Sequence, residues 1–137
     1  MEFLENPVVL DEGRDALHGT LAVPSNQSVR DAVLIWSGSG PTDRDGNSAL
    51  GLMNNSLKML AHALAEAGYV SVRTDKRGVG ASIGAAPPET EHRFETYVGD
   101  AVRWAGFLKE LPRIRNVFLL GHSEGALIAT MAAQRFR

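Results

Sequence analysis

The five residues Gly121-His122-Ser123-Glu124-Gly125 set a serine between two glycines, with the apolar run Val117-Phe118-Leu119-Leu120 directly before them. A serine hydroxyl is a poor nucleophile unless it is exposed, placed beside a base and faced by donors for the oxyanion that forms as it attacks. A tight strand-turn-helix meets the first and last of these needs. It lifts Ser123 to the apex of the turn and aims the first N–H groups of the following helix at the reacting centre. Gly121 and Gly125 mark the points where strand and helix pass too closely for side chains, and Ala126 continues the small-residue contact. Ser123 is the candidate nucleophile, and the backbone N–H of Glu124 is the first candidate oxyanion donor. His122 supports the turn rather than serving as a base, because so sharp a turn directs its side chain elsewhere.

A second donor has to come from another loop. Residues 37–47, Ser37-Gly38-Ser39-Gly40-Pro41-Thr42-Asp43-Arg44-Asp45-Gly46-Asn47, follow the apolar run Ala32-Val33-Leu34-Ile35-Trp36. Gly38 and Gly40 let this backbone turn its amides toward a ligand, and Ser39 is the expected donor through its backbone N–H, with Gly40 the competing neighbour. Asp43 and Asp45 flank Arg44 and are read as braces of the loop, not as an acid and base. A dinucleotide site at Gly78-Val79-Gly80 is excluded, since Ala85-Ala86-Pro87-Pro88 follows where a helix would have to start. No Lys-Ser or Lys-Thr follows a glycine loop, so a phosphate-binding P-loop is excluded as well.

The elements that must carry these loops can be read from periodicity. Residues 7–10 form a short apolar strand, Asp11-Glu12-Gly13 supplies a turn, and residues 16–23 alternate apolar and polar positions, which together predict an N-terminal hairpin. Residues 32–36, 69–74 and 117–120 read as strands, the first and last without polar alternation. Helices are expected over 57–67, with Ser56 as N-cap and Gly68 just past its end. Two more are expected over 91–111, with Phe94, Tyr97, Val98, Ala101, Val102, Ala105 and Leu108 on one face, and over 125–136. The last has almost no polar face and reads as deeply buried. Strands alternating with helices predict crossover connections and a largely parallel, twisted sheet. The loops after Trp36, Thr74 and Leu120 then meet at one carboxyl edge, where ligands bind in such sheets.

Composition narrows the chemistry. With 137 residues, 44% hydrophobic and 22% charged, the chain is expected to be one soluble globular domain over residues 1–137. A net charge of −2 gives no reason to expect nucleic acid or an anionic membrane as partner. Without cysteine there is no disulfide, no thiolate metal site and no cysteine nucleophile, and His18, His62, His92 and His122 are too scattered for metal ligation. The first residues resemble no secretory signal and no apolar run is long enough to span a bilayer, so a cytoplasmic location is the default expectation.

The combination of GSGPTDRDGN, DKRGVGAS and GHSEG resembles the α/β-hydrolase superfamily, in its bacterial esterase-like branch related to serine aminopeptidases and dienelactone hydrolases. The likeness runs from about Leu17 to the end of the chain. It implies an α/β-hydrolase fold, attack by serine on a small-molecule acyl substrate, an acyl-enzyme and its hydrolysis by water, with no cofactor and no metal. It also implies that residues 75–82 form an ordered loop beside the entrance, in which Asp75 and Arg77 are structural. In such enzymes the acid and then the histidine follow the serine. Here no Asp, Glu or His follows Ser123 except Glu124. The expectation is therefore an N-terminal half of that fold, ending after the helix that follows the serine, with 117–120 left as an apolar edge strand. Either the remaining half or a second copy of the chain would cover that edge. A truncated half that binds or assembles without turning substrate over is the competing reading.

Overall fold

The computed structural model describes residues 2–11, 13, 16–26, 28–38, 41–48, 55–86 and 93–136. Five strands, β1 (Phe3–Leu10), β2 (Leu17–Pro24), β3 (Arg30–Trp36), β4 (Val70–Thr74) and β5 (Ile114–Gly121), form one sheet in the order β1-β2-β4-β3-β5. Three helices, α1 (Ser56–Glu66), α2 (Arg93–Lys109) and α3 (Glu124–Phe136), complete the described elements, with a 3₁₀ turn at Gly80–Ser82.

The expected N-terminal hairpin is present, and β1 extends back to Phe3, where Glu5 and Asn6 hide the strand from a reading based on apolar runs. β2 joins the sheet antiparallel to β4, whereas β3 is parallel to both β4 and β5. The carboxyl ends of β3, β4 and β5 consequently lie along one edge. This is an open, mixed sheet with helices on both faces, the arrangement that the resemblance implies.

Alternation along β3 divides the core. Ala32, Leu34 and Trp36 join Val70 and Val72 beneath α2 and α3, packing against Val98, Ala101, Trp104, Ala105, Leu108, Ile128 and Ala132. Val33 and Ile35 face the other way and pack with Leu57 and Ala61 of α1. Strand β3 is buried on both sides, as its unbroken apolar run requires.

Two expectations are corrected. Ser56 is the first residue of α1 and not its cap: Asn55 occupies the cap position with φ 54°. Asn55 is held there by Asn47, whose Oδ1 accepts from the Asn55 N–H at 2.8 Å and whose Nδ2 donates to Asn55 Oδ1 at 2.7 Å. The Asp45 carbonyl, and not a serine hydroxyl, accepts from the N–H groups of Leu57 and Lys58. At the other end Gly68, with φ 98°, closes α1 as expected, and Tyr69 N–H donates back to the Leu64 carbonyl. Helix α3 is not deeply buried. Gly125, Ile128, Ala129 and Ala132 face the core, while Ala126, Leu127 and Thr130 are exposed, because α2 and β5 cover one side only. β5 lies at the sheet edge, and Phe118, paired with Val33, is 52% exposed beyond the reach of α1.

Two glycines sit inside α2 without steric need. Around a Cβ at Gly99 or Gly106 there is open space within 4 Å. Glycine in a helix interior costs about 1 kcal/mol relative to alanine. Gly106→Ala should therefore raise the stability measured by urea denaturation by about that amount; a loss of stability would show that the α2 packing described here is wrong.

Candidate active site

The residues between β5 and α3 are forced into their path by backbone contact. A Cβ on Gly121 would stand 2.0 Å from the Gly125 carbonyl oxygen, and one on Gly125 would stand 2.5 Å from the carbonyl oxygen of Ser37 and 2.6 Å from that of Trp36. No side chain fits at either place. The turn is closed by Gly125 N–H to the His122 carbonyl and Ala126 N–H to the Ser123 carbonyl, each at 2.9 Å, and tied to β3 by His122 N–H to the Trp36 carbonyl at 3.1 Å. Ser123 sits at the apex, exposed, with φ 58°. A non-glycine residue in this left-handed region is held there by its surroundings at a cost of about 1 kcal/mol or more.

The loop after β3 lies against this apex. A Cβ on Gly38 would meet the His122 carbonyl oxygen at 3.4 Å, His122 Nδ1 at 3.5 Å and Ser123 Cβ at 3.5 Å. Ser39 and Gly40, the expected second donor and its competitor, lie outside the described residues, as does His92. Further along, Asp43 Oδ1 accepts from the N–H groups of Asp45 and Asn47, and Asp45 pairs with the buried Arg73 of β4 at 2.9 Å. Arg73 also holds Glu5 at 2.7 Å. Burial raises the Glu5 carboxyl, but the hydrogen bonds and charges of Arg73 and His62 outweigh it and leave the group below its ordinary value.

The loop after β4 is locked to the same edge through Asp75. Its carboxylate accepts from the backbone N–H of Arg44 at 2.8 Å, from the Arg44 guanidinium at 2.7 and 3.1 Å, and from Ala81 N–H at 2.9 Å. Arg77 pairs with Asp100 of α2 at 2.7 and 3.0 Å. Asp43 thus braces its own loop, Asp45 and Asp75 tie that loop to β4 and to the loop after it, and Arg77 ties the latter to α2.

Between those loops lies Lys76, which the sequence does not single out. Its side chain is almost fully buried, its Nζ donates to the Gly38 carbonyl, and it stands 5.6 Å from the centre of the Tyr97 ring. Burial, together with nearby Arg93 and against the attraction of Glu124, lowers its pKa to about 8; burial likewise raises the Tyr97 phenol above its ordinary value. Glu124, the residue after Ser123, has its carboxylate 3.4 Å from the Arg93 guanidinium. A lysine between two charged neighbours in a glycine-rich loop reads as solvated, and no spacing rule marks it as buried. Of the histidines, His18 is in β2, His62 is in α1 with Nε2 3.2 Å from Glu5, and His122 is exposed in the turn. No group of three His, Asp or Glu side chains placed to hold a metal occurs among the described residues, and no helix there is long and apolar enough to cross a membrane.

Two outcomes follow from this geometry. Ser123→Gly and Ser123→Ala remove the same hydroxyl, but only glycine relieves the left-handed strain, so the glycine variant should be the more stable by about 1 kcal/mol. The reverse order in thermal melts would contradict a strained apex. Lys76 should also leave a pH signature. With its pKa lowered from 10.5 to about 8, the unfolded chain holds a proton that the folded one lacks between those values. The penalty for burying the charge is full below pH 8 and fades as pH rises toward 10.5. Against Lys76→Met, wild type should therefore gain about 2 kcal/mol of relative stability between pH 7 and 9.5. A constant difference across that range would mean that Lys76 titrates normally.

Comparison with known proteins agrees with the fold. The family model described as serine aminopeptidase, S33 (Hydrolase_4) matches residues 52–137. Esterase EstD of Thermotoga maritima is 30% identical over 121 residues, which cover 88% of this chain and 28% of the esterase. Est1E from Butyrivibrio proteoclasticus, solved with ferulic acid bound, superposes with a TM-score of 0.71 at 22% identity, covering 93% of this chain and 47% of that one. Dienelactone hydrolase from Anabaena variabilis gives 0.67 at 23% identity, covering 98% and 59%. The chain thus spans about a quarter of the curated relative and about half of the solved structures of the same fold. A strained serine between an edge strand and an apolar helix, on the sheet edge where three parallel strands end, stands where that family model matches: the chain belongs to the serine aminopeptidase family of α/β-hydrolases.

Proposed function

We propose that Ser123 is the nucleophile of a serine hydrolase acting on carboxylic esters or related small acyl compounds. The observation that carries this reading is the apex itself: an exposed serine in left-handed conformation, with the backbone so tight on either side that only Gly121 and Gly125 fit. Such a turn keeps the hydroxyl clear of its own helix and leaves the first N–H of α3, that of Glu124, beside the reacting carbon. The oxyanion would be held by that N–H and by the N–H of Ser39, with Gly38 and Gly40 giving the loop its shape and His122 supporting the turn. The reaction is attack by Oγ on the acyl carbon, departure of the alcohol with a proton, and release of the acid when water attacks the acyl-enzyme. It draws on no cofactor. The relative named an esterase supports an ester as substrate.

The acid and base of the triad are proposed to come from outside these 137 residues, supplied by further polypeptide or by a second copy of the chain. Two observations support this. Edge strand β5 leaves Phe118 half exposed, and a groove between β5 and α3 is lined by Leu119, Gly121, Ala126, Ala129, Thr130, Ala133 and Gln134. The proposed setting of this reaction is the cytoplasm.

An aryl fluorophosphonate should label the purified chain slowly and at Ser123 alone, as read by intact mass and peptide mapping. Turnover of para-nitrophenyl acetate should stay far below that of a complete enzyme, since loss of the base costs on the order of 10⁶ in kcat in a well-studied serine protease. Labelling that persists unchanged in Ser123→Ala would sink the assignment. Brisk ester turnover by the 137-residue chain would show that it contains its own base.

A further inference from the structure

The geometry points to Lys76 as a positioning residue of this site: from beneath the loop after β3, its buried Nζ holds the Gly38 carbonyl and so fixes the peptide that abuts Ser123. The inference rests on the reading of Ser123 as nucleophile and names how its surroundings are held.

Three observations converge. Lys76 is only 4% exposed, and the loop it belongs to is pinned by Asp75 on one side and by Arg77 with Asp100 on the other, so its side chain enters from a fixed base. Its Nζ donates to the Gly38 carbonyl, and a Cβ on Gly38 would stand only 3.4–3.5 Å from His122 and Ser123. A peptide unit is planar, so a carbonyl held by a buried donor fixes more than a single oxygen atom. Holding the Gly38 carbonyl therefore holds the backbone of Gly38 where the loop after β3 meets the apex.

The groups that face Lys76 set the charge of this arrangement. Tyr97 and Arg93 approach from α2 and Glu124 from the start of α3. Asp100 and Arg77 act on the same Tyr97 ring. Taking an ammonium out of water is costly, and that cost has no return in packing that a methionine would not give equally. The carbonyl of the buried Gly38, by contrast, does need a donor there. Arginine at this place would keep a donor but spread it over a wider, planar group.

The experiment uses the whole chain, with Lys76→Met, Lys76→Arg and Ser123→Ala beside wild type. With the glycine carbonyl carbons labelled, the Gly38 resonance should shift with a midpoint near pH 8 and the Ser123 amide should follow it. Both should be flat in Lys76→Met. At pH 7 the rate of fluorophosphonate labelling at Ser123 should fall at least about tenfold in Lys76→Met, with Lys76→Arg retaining part of it. Circular dichroism and melting curves confirm that each variant folds. If wild type labels at Ser123 and Lys76→Met labels equally fast, the role of Lys76 is overturned while the nucleophile stands. The same holds if the Gly38 carbonyl does not sense Lys76. If wild type does not label at Ser123 at all, both readings fall together.

Discussion

The candidate site depends on one steric constraint, the passage of α3 across the ends of β3 and β5 at backbone contact. Gly121 and Gly125 are less than a side chain apart, and Gly125 lies directly on the carbonyls of Trp36 and Ser37. At that separation the chain has one residue pair, His122 and Ser123, in which to reverse direction. The left-handed φ at Ser123 is the consequence. The strain survives because the turn is fixed on three sides: by its own hydrogen bonds, by His122 N–H on Trp36, and by Gly38 packed against its apex. Strain of this size is small beside the burial of Trp36, Leu34 and Ile128 in the core below it, where each large side chain contributes about 2 kcal/mol.

Charge does for the other two loops what close contact does for the turn. Arg73 and Asp75 come from one end of β4, both nearly fully buried, and each is answered from residues 43–47: Asp45 to Arg73, Arg44 to Asp75. This exchange of opposite charges gives the long loop after β3 a register against β4 without regular secondary structure. Removing Arg44 would take the guanidinium from a buried carboxylate, and such pairs fix geometry more surely than they add stability. Lys76 sits between these braces, with its ammonium under the loop rather than over the solvent.

Much of this was legible in the residues. The unbroken apolar runs of β3 and β5 and the glycine pair around Ser123 gave the sheet, its carboxyl edge and the turn, because burial on two faces and backbone contact each demand particular residue types. The balance of local and long-range effects was not legible. Asn55 caps α1 in place of Ser56 because Asn47, eight residues earlier, reaches it. The apolar sequence of α3 says that it contacts something, but which side is covered depends on α2 and β5, so Leu127 is half exposed in spite of its type. Lys76 is the clearest case. The Tyr97 ring beside it and the charges of Arg93 and Glu124 that act on it are remote in sequence, and no spacing pattern encodes them.

An edge strand is an uncertain platform for a strained turn, since a slip of one residue would turn every side chain of β5 to the opposite face. Here the register is fixed at both ends. At the start, Arg30 N–H donates to the Arg113 carbonyl at 2.9 Å, and Asp31 accepts from the Arg115 guanidinium at 3.1 Å and from the Asn116 side chain at 3.2 Å. At the finish, His122 donates to Trp36. Between these clamps the strand carries an irregularity opposite residues 30–32, where the pairing shifts from Arg30–Ile114 to Ala32–Val117. The shift absorbs one residue and brings Val117 and Leu119 onto the α2–α3 face and Leu120 onto the α1 face. Without it, Leu119 would leave the face on which Leu34 and Trp36 are buried, and Gly121 would no longer arrive beside Trp36, where α3 needs a residue with no side chain. The position of Ser123 is thus decided at the far end of its strand as well as at its own turn.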